Sequence, residues 1–337
     1  MNTRYILSTA LCLALSAGAA HAQDYPEMKL RENNLVPATA GPALANVFFA
    51  DEIAKRSGGK IEIENFWSGA AGAPAEQLKL VGAGALDIAV FPGSYYPAQM
   101  PFLGAISALP IVMPTPDKAQ EIANALWEKV PAFQEEAKAN KIWPVIFKPL
   151  NEYHLLCTSP IRSLADLENK KIRSQGEYIP IAVKAVGAVP VTVLPGEFYE
   201  ALQRGTVDCM LLPWDLLNAN RLYEVAKYGS TISFGTVIAD GTFFNLDKWN
   251  SLPDDVKTLM SETGKDAEAY SLTANKELEK KALENMKAEG VEIIEFPDQE
   301  AFQAKLPDFL DIWQKRMEEA GKGDAARQTV EVWKSVN

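Results

Sequence analysis

His154 is the residue in this chain best suited to acid–base chemistry near neutral pH. The sequence contains two histidines, and the other one, His21, lies within a predicted leader. Because the ordinary pKa of histidine lies near neutrality, a Ser-His-Asp triad built on His154 is possible. Zinc, di-iron and HExxH sites that need several histidines are excluded. A secreted hydrolase or lyase is therefore one functional alternative, and it would need an acid–base partner beside His154.

The glycine-rich segments lack the signatures of nucleotide-binding and nucleophilic enzymes. Residues 69–72 (GAAG) and 82–84 (GAG) do not follow the G-x-G-x-x-G order, and no lysine with a following serine or threonine trails them as in a P-loop. A G-x-S-x-G nucleophile elbow does not occur in the sequence. These glycines are typical of loops, so we expect no cofactor, no metal site and no catalytic constellation.

Two cysteines, Cys157 and Cys209, lie in separate strand-like runs. An oxidising compartment would permit a disulfide between them. They could also be two buried small hydrophobic residues on separate strands. The sequence leaves both possibilities open, and a catalytic thiol is not expected.

The composition indicates a globular protein without a nucleic-acid partner. Its 337 residues, of which 47% are apolar and 23% charged, are enough for two packed cores. Acidic residues outnumber basic ones 44 to 33, and the resulting net charge of -11 would repel phosphate backbones. We therefore expect no binding to nucleic acid.

Residues 1–22 are predicted to be a secretory signal peptide. Arg4 supplies the basic start, an apolar stretch runs from Ile6 to Ala20, and the A-H-A sequence at 20–22 is typical of a cleavage site. The stretch is too short for a spanning helix, although a membrane anchor is the alternative. No later segment approaches about 18 uninterrupted apolar residues. We expect a mature protein that begins at Gln23 and is soluble outside the cytoplasm.

Strand-like and helix-like segments alternate along the chain, which indicates an α/β fold. In the first half, strands near 28–34, 60–66 and 87–91 alternate with helices near 42–57 and 74–84. This is the βαβαβ order of a doubly wound sheet. A second βαβαβ unit follows, with strands near 170–173, 189–194 and 207–212.

A long helix is predicted after the second unit. Apolar residues step by three or four from Val256 to Met286, which predicts a helix from Asp254 to near Gly290, roughly 50 Å long at about 1.5 Å per residue. Such a helix could brace two lobes, or it could break near Gly264. The predicted domains are the signal peptide at 1–22, one lobe at 23–150, a second lobe at 151–238, and a return to the first lobe at 239–337 with the bridging helix and the C-terminal helices.

Several segments of the chain resemble a known family. They are 74–89 (PAEQLKLVGAGALDIA), 163–173 (SLADLENKKIR), 187–191 (GAVPV), 197–208 (EFYEALQRGTVD) and 244–255 (FNLDKWNSLPDD). They are similar to the extracytoplasmic solute receptors of tripartite ATP-independent periplasmic (TRAP) transporters, the DctP family, over essentially the whole mature chain. The resemblance implies a periplasmic binding protein fold, with two α/β lobes and a long connecting helix, that closes around an organic acid. It also implies that the ligand passes to a small and a large membrane subunit, driven by a sodium or proton gradient.

The resemblance implies a ligand-binding role for Arg173. In the family, the arginine that closes the K-I-R strand binds the ligand's carboxylate, and Arg173 stands in that place. The chemistry fits, because a guanidinium offers a planar fork of donors that matches a carboxylate or sulfonate and stays charged when desolvated. If Arg173 does not bind the acid, the alternatives are Arg31, Lys148 or a bound metal.

Departures from sialate-type members of the family bear on the ligand. Those members carry a second arginine where this chain has Tyr153, and a Gln-Glu-Asn-Pro run where it has the apolar segment 210–214. With one fixed cation, we expect an organic acid with one principal carboxylate or sulfonate and a body that is apolar or carries a few hydroxyl or keto groups. The candidate wall residues are aromatic, although each of them could instead fill the core: Trp67, Tyr95, Tyr96, Tyr153, Trp214 and Phe243. Glu197 is a further candidate contact, with a local structural role as the alternative.

We therefore predict a monomeric periplasmic receptor of the TRAP type that is not an enzyme and closes about a hinge near Asn151 and Ile238. A receptor of similar fold that serves another transporter or a sensor kinase is an alternative that the sequence does not separate. The secreted lyase or hydrolase with His154 is the alternative from another class.

Overall fold

The structure, a computed structural model, describes residues 25–194 and 196–336. The predicted signal peptide at 1–22 lies outside the described residues. The strands of the described chain are β1 (Met28–Asn34), β2 (Ile61–Phe66), β3 (Ile88–Phe91), β4 (Ile142–Pro149), β5 (Tyr153–Cys157), β6 (Lys171–Ser174), β7 (Val189–Thr192), β8 (Cys209–Pro213), β9 (Tyr228–Ser230), β10 (Ile238–Asn245) and β11 (Glu292–Ile294).

Helices surround these strands and cover the faces of the sheets. They are α1 (Leu44–Arg56), α2 (Gln77–Gly82), α3 (Ala105–Ala108), α4 (Pro116–Lys129), α5 (Pro131–Ala139), α6 (Ile179–Ala185), α7 (Phe198–Gln203), α8 (Trp214–Ala219), α9 (Leu246–Ser251), α10 (Asp254–Ala288), α11 (Gln299–Lys305), α12 (Phe309–Glu319) and α13 (Gly323–Val336). The mixture confirms the predicted α/β class. Strand β3, an uninterrupted apolar run, is buried along its length, as expected for a strand with helices on both faces.

The strands form two sheets, one in each lobe of the molecule. The first sheet has the order β2-β1-β3-β10-β4 and the second the order β11-β9-β5-β8-β6-β7. Strand β10 runs antiparallel to both of its neighbours and returns the chain to the first sheet after β5 to β9 of the second sheet have formed. Strand β11 pairs with β9 in the second sheet, although the segment 239–337 was assigned to the first lobe from sequence. The boundaries of the lobes stay a prediction.

One edge of each sheet faces the crossing between the lobes. In the first sheet, the strand pairing brings the C-terminal ends of β1, β3 and β4 and the start of β10 to the same edge. In the second sheet, the ends of β6, β7, β8 and β9 and the start of β5 share an edge. The chain crosses between these edges over the short segment 150–152 and again over 231–237. The cleft between the lobes is therefore bordered by strand ends, where open α/β sheets bind ligands.

Helix α10 is continuous over 35 residues and packs against α1 and β4 of the first lobe and α8 of the second. The predicted bridging helix is thus confirmed, and the alternative of a break near Gly264 is wrong. A Cβ atom at Gly264 would lie 2.5 Å from the carbonyl oxygen of Val145. The glycine therefore permits close approach of the helix to β4 rather than ending the helix.

Cys157 and Cys209 face each other on the antiparallel strands β5 and β8. Their Cα atoms are 4.1 Å apart and their sulfurs form a disulfide. Of the two possibilities that the sequence left open, the structure has the disulfide. None of the described helices combines the length and the apolar composition that a membrane crossing requires.

Candidate ligand-binding site

Arg173 lies near the end of β6, at the cleft edge of the second sheet, and is only 2% exposed. Its Nε donates to the carbonyl oxygen of Val193 at 3.3 Å and its Nη1 to that of Leu211 at 3.3 Å. Its Nη2 donates to Oε1 of Gln175 at 2.5 Å. The guanidinium also lies over the Phe198 ring, 4.9 Å from the centroid. Neighbouring strands and the start of α7 thus hold the guanidinium in one place.

The charge of Arg173 has no carboxylate partner among the described residues. Burial lowers its pKa, and the nearby Tyr153 and Tyr95 act in the opposite direction. Each terminal nitrogen of a guanidinium carries a pair of hydrogens. Nη1 and Nη2 therefore each keep an N–H that no described residue accepts, which is the fork that a carboxylate fits.

Tyr153 and Tyr95 lie near enough to Arg173 to act on its charge, and their roles as ligand contacts stay predictions. The Tyr153 hydroxyl accepts a hydrogen bond from Nε2 of Gln175 at 3.3 Å, which links β5 to the segment after β6. Tyr95 is 53% exposed, an unusual exposure for a large aromatic side chain. Burial of its hydroxyl raises its pKa, Asp240 of the first lobe raises it further, and Arg173 of the second lobe lowers it. Tyr95 therefore lies between charged groups of both lobes.

A buried charge cluster, which no sequence motif indicates, borders the cleft in the first lobe. Lys148 is 1% exposed, and its Nζ lies 2.5 Å from both Oδ1 of Asp240 and Oδ1 of Asn46. Asn46 in turn donates to the Thr242 hydroxyl at 3.0 Å. Glu32 is fully buried nearby, and neither of its carboxylate oxygens has a hydrogen-bond partner among the described residues. We call Glu32, Asn46, Lys148, Asp240 and Thr242 the first-lobe cluster.

Both acids of the first-lobe cluster are protonated more readily than ordinary carboxyl groups. Burial raises the pKa of Glu32 to about 7, although the Lys148 charge lowers it and the Asp240 charge raises it further. Burial also raises the pKa of Asp240, against the lowering effect of Lys148. The cost of burying these charges outweighs the attraction between them.

Three predicted aromatic contacts have partners away from Arg173. The Tyr96 hydroxyl donates to the carbonyl oxygen of Pro74 at 2.6 Å and accepts from the amide of Leu78 at 3.2 Å. Trp214 stacks on His154 with 4.8 Å between ring centroids, and Phe243 stacks on Phe91 at 4.6 Å within the first lobe. Their roles as ligand contacts stay predictions, and the contacts in the structure are those of core side chains.

Glu197 and Trp67 complete the predicted set. Oε2 of Glu197 accepts from the amide of Leu194 at 3.2 Å, so this exposed carboxylate closes the turn before α7. Trp67 is half-buried and follows β2 at the cleft edge of the first sheet. Gln175 and Phe198, which were not predicted from the sequence, contact Arg173 directly. Gln175 lies two residues after Arg173 and Phe198 follows the candidate Glu197, so their positions in the sequence could have indicated them.

His154, the acid–base candidate, and Arg31, an alternative cation for the acid, both have other partners in the structure. Nδ1 of His154 lies 3.0 Å from the carbonyl oxygen of Ile232, and burial lowers its pKa to about 4. The imidazole is therefore neutral near pH 7 and a weak base. Nε of Arg31 lies 3.3 Å from Oδ2 of Asp87. Within 25–194 and 196–336, no three His, Cys, Asp or Glu side chains are arranged to hold a metal ion.

The sequence of this chain is similar to those of known solute-binding proteins. The family model of DctP, the bacterial extracellular solute-binding protein family 7, matches residues 38–318. A solute-binding protein of Roseobacter denitrificans is 25% identical over 310 residues, 90% of this chain and 91% of its own.

Solved structures share the fold at low identity. A TRAP periplasmic solute binding protein from Desulfovibrio salexigens, with bound orotic acid, has a TM-score of 0.77 and 22% identity, and the alignment covers 92% of this chain and 99% of that one. Another from Roseobacter denitrificans, with bound β-D-glucuronate, has a TM-score of 0.74 and 21% identity over 90% and 99%. Since the family model spans most of its length, this chain belongs to the DctP family of bacterial extracellular solute-binding proteins.

Proposed function

We propose that this protein is the receptor of a TRAP-type transporter and that Arg173 binds the single principal anionic group of an organic acid. The observation that carries the proposal is the buried Arg173 guanidinium at the cleft edge, which has no carboxylate partner among the residues described. A buried charge is costly unless an opposite charge compensates it. A ligand carboxylate supplies that charge when it enters the cleft.

The residues that accept hydrogen bonds from Arg173 are uncharged and hold its guanidinium in position. Val193, Leu211 and Gln175 orient the guanidinium through uncharged oxygens, so they fix the fork without neutralising it. Tyr153 holds Gln175 through its hydroxyl. Arg173 is therefore ready for a bidentate contact before the ligand arrives, which reduces the entropy lost on binding.

The charges across the cleft favour a monoanion. Asp240 acts on Tyr95 from the first lobe, and Glu32 lies in the same cluster. A second ligand carboxylate reaching that side would meet these acids, and the cation among them, Lys148, already lies 2.5 Å from Oδ1 of Asp240. Hydroxyl or keto groups would meet no like charge. Orotate and glucuronate, the ligands of two proteins with this fold, each carry one carboxylate on a ring. Tyr95 and Tyr153 offer aromatic surface to such a ring.

Closure of the lobes completes the proposed binding cycle. We place the hinge near Asn151 and Ile238, where the chain passes between the sheets. Nδ2 of Asn151 donates to Oδ1 of Asp215 at 3.0 Å and to the carbonyl oxygen of Asn275 at 2.9 Å, which ties this crossing to α8 and α10. A hinge anchored on the long helix lets the lobes rotate while the helix stays in place.

We place this receptor in the periplasm as a monomer that hands its ligand to a small and a large membrane subunit. A receptor role without catalysis agrees with the neutral, buried His154, which stacks on Trp214. A receptor that serves another transporter or a sensor kinase would use the same ligand site.

Calorimetric titration with D-glucuronate and orotate tests the proposal. We expect binding by the wild type, and a loss of about 2 to 5 kcal/mol in Arg173→Gln, because the ligand anion loses its buried partner. The matched control is Arg162→Gln, which removes an exposed arginine of the same lobe that pairs with Glu292. Circular dichroism would establish that each variant is folded.

Two outcomes would overturn the proposal. Equal affinity in wild type and Arg173→Gln would mean that another group binds the acid. Conversion of either acid by the wild type, followed by NMR over hours, would show an enzyme instead of a receptor.

A further inference from the structure

Helix α12 contacts the second lobe immediately beyond the Arg173 site. Nη1 of Arg316 lies 2.5 Å from Oε1 of Glu177, and the Arg316 guanidinium lies 5.0 Å from the centroid of the Tyr178 ring. Phe309, the first residue of α12, meets the same ring edge-on at 6.5 Å. Tyr178 is therefore held between two side chains of α12.

Helix α12 itself is attached to the first lobe. Nε1 of Trp313 donates to the carbonyl oxygen of Pro101 at 3.3 Å, and its ring meets Phe102 at 5.8 Å. The helix also packs on α13, which in turn packs on α4. The contact of Arg316 with Glu177 and Tyr178 thus joins the lobes through side chains, next to residues 295–308, over which the chain passes from β11 of the second sheet back to α12.

Glu177 and Tyr178, the residues that Arg316 contacts, follow closely after Arg173 in the chain. Arg173 and Gln175 precede Glu177 and Tyr178, and the turn between them contains Gly176 at φ +62°. Helix α6, which begins after Tyr178, packs against β6 and β7 of the second lobe. Tyr178 is therefore connected to Arg173 through the short stretch of backbone at residues 174–177.

We propose that Arg316 is a positioning residue that acts through Glu177 and Tyr178 to hold the clamp segment, residues 173–178, against the first lobe. This inference rests on the proposed function, in that Arg173 is the ligand-binding group. In it, α12 is a tie between the lobes, and arrangements of the lobes that keep the Arg316 contact retain the bound acid longer than arrangements that break it.

The contact of Arg316 with Glu177 and Tyr178 is weak enough to break and re-form reversibly. The side chains of Arg316 and Glu177 are 39% and 62% exposed, and exposed ion pairs contribute little and are screened by salt. Tyr178 is buried, at 6% exposure, so the cation–π contact persists when the ion pair is screened. Such a contact shifts the balance towards arrangements of the lobes that keep it, without locking the ligand in.

Arg316→Gln removes both interactions at once, and Lys315→Gln is the matched control. Lys315 is on the same helix and carries the same charge, but it pairs with Asp311 of its own helix. We expect Arg316→Gln to speed the dissociation of D-glucuronate, followed by stopped flow, by about threefold to tenfold. The control should leave the rate unchanged. Exchanging the charges in the Glu177→Arg, Arg316→Glu double variant should recover part of the loss seen in Arg316→Glu alone.

A second readout does not depend on ligand. Fluorescent labels at Glu62→Cys in the first lobe and Lys184→Cys in the second would report the distance between the lobes. We expect more of the long-distance population in Arg316→Gln than in wild type or Lys315→Gln. Equal dissociation rates and equal distance distributions would overturn the inference. If the wild type failed to bind D-glucuronate, the proposed function would be in question for that acid, while the distances in ligand-free protein would still decide the role of Arg316.

Discussion

Glu32 lies in the first-lobe cluster, and its replacement by glutamine should make the stability of the protein less dependent on pH. Its carboxylate is fully buried, and its pKa is raised from 4.5 to about 7. In the window between these values, the folded protein keeps a proton that the unfolded chain has released. The contribution of this group to stability is therefore fully present below pH 4.5 and is lost as the pH rises through 7.

The size of the effect follows from the two pKa values. Linkage between protonation and folding gives a loss of about 2.5 kcal/mol from this group between pH 5 and pH 8. The fixed neutral amide of Glu32→Gln cannot titrate, so the variant should lack this loss. Any change in packing or hydrogen bonding caused by the amide should be nearly the same at both pH values and should cancel in the comparison.

Urea unfolding followed by circular dichroism at pH 5, 6, 7 and 8 measures the difference in the free energy of unfolding between variant and wild type. We expect that difference to move by about 2.5 kcal/mol in favour of Glu32→Gln across this range. Glu62→Gln, which alters an exposed carboxylate on the neighbouring strand β2, is the matched control. A difference that is constant with pH to within about 0.5 kcal/mol would refute the burial argument for Glu32.

Further predictions concern the disulfide, the ligand charge and the motion of the lobes. Replacing Cys157 and Cys209 with serine should lower the free energy of unfolding by about 2 to 5 kcal/mol, measured in urea, because the bridge closes a loop with a sequence separation of 52; no loss would contradict the presence of the bridge. Calorimetry with size-matched acids should show tighter binding of monocarboxylates than of dicarboxylates, and the opposite order would mean that a second cation, such as Lys148, binds the ligand. Small-angle scattering should show a smaller radius of gyration with ligand than without, and tight binding without compaction would contradict a two-lobed clamp.

Local patterns were sufficient to predict the two βαβαβ units and the long helix, whereas the short strands β9 and β11 were not predicted. Strand β1 has the predicted bounds, Met28–Asn34. Helix α10 was predicted from apolar residues spaced at three or four, and it ends at Ala288, near the expected Gly290. The strand order was less accessible, because β10 inserts between β3 and β4 from a distant part of the chain.

The same limit explains which parts of the site were missed. Arg173 was predicted because its motif is contiguous. Glu32 and Asp240 were missed, and Lys148 was named only as an alternative cation for the acid. These residues come from β1, β10 and β4, and they meet because those strands lie in one sheet. No spacing in the sequence indicates that these charges share a buried cluster.

The aromatic candidates show a second limit, since sequence does not reveal what a side chain touches. Tyr95 and Tyr96 are adjacent in sequence, yet Tyr95 is exposed beside Arg173, whereas the Tyr96 hydroxyl binds the backbone of Pro74 and Leu78. Trp214 likewise stacks on His154. Contacts of this kind depend on the packing of whole elements, which composition and periodicity do not report.

A crystal structure of the protein with bound D-glucuronate would test most directly whether Arg173 holds the ligand carboxylate. We expect each carboxylate oxygen to lie about 3 Å from Nη1 or Nη2 of Arg173, with the sugar ring between the lobes beside Tyr95 and Tyr153. A carboxylate bound at Lys148, or at any group other than Arg173, would contradict the proposed binding mode.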